Sequence, residues 1–149
     1  MQSLLSVRLG FAGTAYLNRF AEILAPTGLT PGRLLAVAIL QSHPACDQNF
    51  LARGLSITKA SAMALVDKLQ AQGLVERRPG ADRRSNALHL TVEGEAVFAE
   101  AMRLEAELHD ELFGWMSELE LQRLTVTINE ITRRASREPV DVADKTRTA

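Results

Sequence analysis

Between Leu51 and Leu90 lie seven basic side chains: Arg53, Lys59, Lys68, Arg77, Arg78, Arg83 and Arg84. Only Asp67, Glu76 and Asp82 oppose them, so these forty residues carry a charge of +4. The remaining chain holds ten basic residues against fifteen acidic ones. A net charge of −1 therefore hides a basic middle and acidic ends. Guanidinium and ammonium groups clustered this way suit phosphate oxygens, and a local basic patch is the electrostatic footprint of nucleic-acid binding. Seven aromatic residues (Phe 5, Trp 1, Tyr 1) are too few to favour stacking of unpaired bases, which leaves duplex as the matching form.

Other chemistry finds little support. There is no Gly-rich phosphate loop and no nucleophile motif, so an enzyme is not expected. His43, His89 and His109 show no metal-ligand spacing, and neither a metal nor a cofactor is expected. Cys46 is the sole cysteine and reads as a small, inert hydrophobe rather than a redox sensor. The acidic residues Glu93, Glu95, Glu100, Glu105, Glu107, Asp110 and Glu111 follow the solvated face of a helix. Asp67 reads as a surface or bracing charge.

The elements that must position the basic middle follow from periodicity. Leu5, Leu9, Ala12, Tyr16, Phe20 and Ile23 recur at three and four and predict a helix over 4–24. Thr30-Pro31 opens a second helix, with Leu34, Leu35, Ala38 and Ile39 facing a core. His43-Pro44 ends it, and Asp47 caps a short third helix. A fourth runs from Thr58 to Gln72, with Ala62, Leu65, Val66 and Leu69 inward and Gly73 as its stop.

The period then drops to two. Residues 74–78 and 85–90 predict two strands joined by Pro79-Gly80-Ala81-Asp82, with Leu88 and Leu90 on one face and Ala87 and His89 on the other. Thr91 caps a long helix with the stripe Val97, Ala101, Leu104, Leu108, Leu112 and Trp115. A last helix carries Leu121, Leu124, Ile128, Ile131 and Ala135. The predicted class is mainly α with a small β-hairpin: a winged helix-turn-helix plus a helical dimerisation arm. Its third helix braces the fourth, which is free to enter a major groove, and the hairpin is a wing. The expected division is 29–90 for the winged domain, 1–28 and 91–135 for the arm, and 136–149 for a flexible tail.

Composition agrees with this class. With 149 residues, 46% hydrophobic and 23% charged, the chain fits one domain or a subunit of a small oligomer. No apolar stretch reaches the roughly 18–20 residues that span a bilayer, and no secretory leader pattern is seen. The cytoplasm is the expected location, and no membrane partner is expected.

Several short stretches, in order and at compatible spacing, resemble the multiple antibiotic resistance regulator (MarR) family of bacterial repressors. They are Gly28-Leu29-Thr30-Pro31, His43-Pro44, Leu65-Val66-Asp67-Lys68-Leu69, Gly73-Leu74-Val75-Glu76-Arg77, Asp82-Arg83-Arg84 and Leu90-Thr91-Val92-Glu93-Gly94. The resemblance implies a homodimer formed by the first and last two helices, bound to a palindromic DNA operator. It also implies release by a small aromatic or lipophilic ligand bound where arm and winged domain meet. Phe11, Tyr16, Arg19 and Phe20 are candidates for that pocket, or equally for the dimer core. In the wing, Asp82 would hold the loop and Arg84 would project to DNA, flanked by Arg77, Arg78 and Arg83.

On the fourth helix, Thr58, Lys59 and Lys68 suit phosphates, while Ser61 and Met63 face the bases. The run Ala60-Ser61-Ala62-Met63-Ala64 departs from the family, being smaller and less polar than usual. It shifts expected readout toward thymine methyls and DNA shape. Phe50 and Gly54 are also unusual for a third helix whose outer face is normally charged. The weak recognition helix and the acidic remainder leave a second reading, a dimeric helical protein-interaction module with weak or lost DNA binding.

Overall fold

The computed structural model describes residues 4–80 and 86–135. Its elements are α1 (Leu5–Leu24), α2 (Pro31–Ser42), α3 (Gln48–Gly54), α4 (Lys59–Ala71), β1 (Val75–Pro79), β2 (Asn86–Leu90), α5 (Val92–Phe113) and α6 (Glu118–Ala135), with a short 3-10 turn at Ala25–Thr27. The fold class is the one expected, mainly helical with one antiparallel hairpin. The tail beyond residue 135 and the wing tip lie outside the described residues. No single described helix is long and apolar enough to cross a membrane.

Capping residues fix where the helices begin. Thr30 accepts from the Arg33 amide at 3.3 Å, Asp47 from Phe50 at 2.7 Å and Thr58 from Ser61 at 3.1 Å. Each satisfies an N–H that the first helical turn leaves without a partner. Thr91 does the same for α5, accepting from the Gly94 amide at 3.0 Å.

The chain divides into two compact units, 1–108 and 109–149. The first holds one core, built on Leu24, Leu34, Val37, Leu40, Leu51, Val66, Leu69, Val75 and Leu88. Predicted inward residues Ala62, Val66 and Leu69 of α4 are buried, and Leu65 packs at their edge. For α2 the expected face is rotated. Ala36, Val37 and Leu40 join Leu34 inside, while Leu35 is 61% exposed. Packed against α1, α3 and β2, α2 buries a wide arc, and Leu35 falls on the side left open.

The hairpin pairs Val75 with Leu90 and Arg77 with Leu88. Ala87 and Leu88 are both buried, so the expected alternation fails at that end of β2. The cause is a third segment: the Ala45 amide donates to the Leu88 carbonyl at 3.0 Å and the Leu88 amide to the Cys46 carbonyl at 2.9 Å. A two-residue bridge of this kind has no period to betray it.

In the second unit, α6 buries no residue, and Leu119, Val126, Ile128 and Ile131 are exposed. Trp115 lies beyond the end of α5, not on its stripe, and its indole N–H donates to the Leu112 carbonyl at 2.8 Å.

Candidate nucleic-acid interface

Helices α3 and α4 meet at a tight turn in which Ser56 adopts a left-handed φ of 53°. The turn and the Thr58 cap present the first two turns of α4 outward. Ala62 is buried beneath them, while Lys59, Ala60, Ser61, Met63 and Ala64 are exposed. Polar groups here are partly spoken for. The Thr58 hydroxyl accepts from the Ser61 amide and donates to the Ser61 Oγ at 2.9 Å. What remains uncovered is the Lys59 ammonium, one serine hydroxyl proton, two alanine methyls and the Met63 side chain, 52% exposed.

The far end of α4 is anchored. Gly73, at φ 73°, turns the chain, and the Leu74 amide donates back to the Leu69 carbonyl. The Thr91 hydroxyl then donates to the Gly73 carbonyl at 2.6 Å, tying the start of α5 to the same corner. Gly94 permits this approach: a Cβ there would stand 2.1 Å from the Leu74 carbonyl oxygen. Gln72 adds a link no sequence signal announced, donating to the Gly28 carbonyl at 3.2 Å and accepting from Arg33 at 3.4 Å.

The two strand arginines differ. Arg78 is exposed and pairs with Glu76 on its own strand, its Nε–H 2.7 Å from the carboxylate. Arg77 turns inward to α4, where Nη2 donates to Asp67 Oδ1 at 2.5 Å and Nη1 to Gln70 Oε1. Lys68 is exposed on the last turn of α4. Asp82, Arg83 and Arg84 lie outside the described residues.

Of the candidate pocket residues, Tyr16 and Phe20 come together with ring centroids 5.7 Å apart, and Arg19 pairs with Glu22. Phe11 does not join them; it is 73% exposed. Burial and the Glu105 carboxylate push the Tyr16 hydroxyl pKa up, keeping it a neutral donor. A groove of about 540 Å³ opens elsewhere, between α2 and α4, with Arg33, Leu35, Ile57, Ser61, Leu65 and Lys68 on its walls. Cys46 is half-buried in the bridge to Leu88, and burial and Asp47 push its thiol pKa up, away from a reactive thiolate.

Residues 27–85 match the MarR family. The HTH-type transcriptional regulator BilQ of Clostridium symbiosum is 30% identical over 105 residues, covering 70% of this chain and 73% of that protein. The chain belongs to the MarR family. Another relative, the homoprotocatechuate degradative operon repressor of Escherichia coli, is 28% identical over 131 residues, 87% of this chain and 88% of the other. Among solved structures, the repressor CouR of Rhodococcus jostii RHA1 bound to a 23-mer DNA duplex superposes with a TM-score of 0.78. It is 29% identical and covers 89% of this chain and 94% of its own. Like these MarR-family proteins, the chain is a transcriptional regulator with a winged helix-turn-helix.

Proposed function

We propose that the chain acts in the cytoplasm as a homodimeric repressor that binds a palindromic operator and leaves it when a small aromatic or lipophilic ligand binds. The observation that carries this is the two-sidedness of α4. One face is fully buried through Ala62, Val66 and Leu69, and the other, from Lys59 to Ala64, is open. A helix held this way is a probe for a groove. Lys59, Lys68, Arg78, Arg83 and Arg84 supply phosphate contacts, the Thr58 cap fixes the helix start, and Asp82 steadies the wing.

Base reading falls to Ser61 and Met63. With two alanines beside it, Met63 suits the C5-methyl of thymine. Residues 29–90 form the DNA-binding unit, and 1–28 with 91–135 the dimer-forming arm. The exposed stripes on α1 and α6 support that arm, because rows of uncovered apolar side chains mark an interaction surface. A two-fold dimer places its recognition helices about 34 Å apart, one DNA turn. Tyr16, Arg19 and Phe20 are the residues through which a ligand would act, by binding one dimer geometry more tightly than the other.

A salt titration tests the reading. Binding to the chain's own promoter region is expected to fall steeply with salt, by roughly 0.9 log units per log unit of salt for each phosphate neutralised. No salt-sensitive binding would overturn it in favour of a protein-interaction module.

A further inference from the structure

We propose that Arg77 is a positioning residue: it struts the recognition helix against the first strand of the wing and neutralises no phosphate itself. The proposal rests on α4 being the recognition helix. Helix and strand are joined through the corner around Gly73, and near it they pack together in the core through Leu69 and Val75. From Asp67 the helix runs about 9 Å to that corner at 1.5 Å per residue. From the corner to Arg77 the strand runs about 13 Å at 3.3 Å per residue. Farther along the two arms, a further member linking them holds the angle between helix and wing.

Arg77 is that member. Val75 and Arg77 share the strand face turned to α4, since alternate residues point the same way. Asp67 and Gln70 are one helical turn apart and so share a face of α4. One guanidinium reaches both, at 2.5 Å to Asp67 Oδ1 and through a second nitrogen to Gln70 Oε1. Its planar fork sends two separate nitrogens to two acceptors in a fixed geometry, which the point-like ammonium of lysine does not reproduce.

Exposure separates Arg77 from its neighbour. The Arg77 side chain is 24% exposed, against 57% for Arg78, whose partner Glu76 is on the same strand and links no two elements. The strut also removes the carboxylate and the amide of α4 from base reading, leaving the small apolar patch around Met63. A partly exposed ion pair contributes little to global stability. Its effect is on the angle between helix and wing, and so on how well both fit the duplex together.

The test is equilibrium binding to the operator and to an unrelated duplex across a salt series, with melting temperatures recorded for each variant. Arg77→Gln is expected to weaken operator binding about tenfold, the loss tied to one charge-assisted bond. Binding to unrelated DNA and the salt slope are expected to stay as in wild type. Arg77→Lys keeps the charge but is expected to lose as much. Asp67→Asn, a conservative change at an exposed site, is expected to weaken operator binding although it removes a negative charge near DNA. The double variant Arg77→Gln/Asp67→Asn is expected to be no worse than either single one.

A phosphate ligand would behave oppositely. Arg77→Gln would flatten the salt slope by about 0.9, Arg77→Lys would bind almost normally, and Asp67→Asn would bind more tightly. That pattern would overturn the proposal and leave the repressor reading standing. A wild type that binds no duplex would remove the repressor reading, and this proposal with it.

Discussion

Helices α4 and α6 both show apolar side chains to solvent, but they do so in different ways. On α4 the uncovered patch is short, Met63 between alanines, and it sits opposite a face sealed in the core by Val66 and Leu69. On α6 nothing is buried, and the apolar residues run the length of the helix, from Leu119 to Ile131. An isolated helix of this length is marginal in water, and most helical stability comes from packing an apolar face. So α4 has its folding energy already, and its exposed patch is left over for the recognition proposed above. The stripe of α6 is covered by nothing among the described residues of its own chain, and a second copy of the chain is the cover proposed above.

Core and stripe substitutions give the largest expected effects, and they should split the two helices cleanly. Leu69→Ala removes a fully buried side chain from α4 and is expected to cost about 2–5 kcal/mol. Chemical denaturation would show it as a lowered midpoint. Ile128→Glu with Ile131→Glu alters exposed positions and is expected to halve the mass in sedimentation, with any loss of helical content confined to α6. It should also abolish the dependence of melting temperature on protein concentration that marks a dimer. A double variant that still sediments as a dimer would break the comparison, because the stripe would then be mere surface.

The patch on α4 is tested at the DNA. An operator in which thymine is replaced throughout by deoxyuridine lacks only the C5-methyl groups. Each methyl in contact with Met63 or its alanines is worth about 0.8 kcal/mol of burial, roughly fourfold in affinity. Affinity for the uracil operator is expected to fall by that factor per contacted methyl, and Met63→Gln is expected to shrink the difference between the two operators. Equal binding of both operators by the wild type would show that α4 reads no thymine methyl.

These contrasts also explain what the sequence made legible. Every helix of the winged domain was readable because cap and period agree: Thr30, Asp47 and Thr58 each bond the amide three residues on. The stripes of α1 and α6 were just as readable as patterns, but a pattern says that a face will be covered and not by what. Leu35 shows the same limit inside α2, where three neighbouring elements decided which arc went inward. The Cys46–Leu88 bridge left no signal at all, and of the Arg77–Asp67–Gln70 strut only Asp67 was legible, as a surface or bracing charge without a partner named. Both join residues on different elements, and only the fold brings them together. Arg77 illustrates the cost: by charge alone it reads as another phosphate contact, whereas its bonds turn it toward the helix.

The charged face of α6 gives the smallest expected effect and sharpens the contrast with its apolar stripe. Glu130 accepts from Arg133 Nε at 2.9 Å and Nη2 at 2.8 Å, and from Arg134 Nε at 2.5 Å. These bonds from guanidinium groups pull its pKa down to about 2. An unfolded glutamate titrates near 4.3. Between those values the unfolded chain binds more protons than the folded one, so stability rises with pH there. The contribution is fully present above the unfolded pKa and is lost as pH falls through the folded one. Glu130→Gln is therefore expected to melt slightly below wild type at neutral pH. The gap should be constant above about pH 5, close toward pH 2, and narrow when salt is added, because the group is exposed to solvent. A gap that ignored pH would mean that the arginines do not hold Glu130 in solution. In the monomeric Ile128→Glu/Ile131→Glu variant the gap should shrink, because an α6 without its cover is only marginally helical and the ion pairs exist only while it is folded.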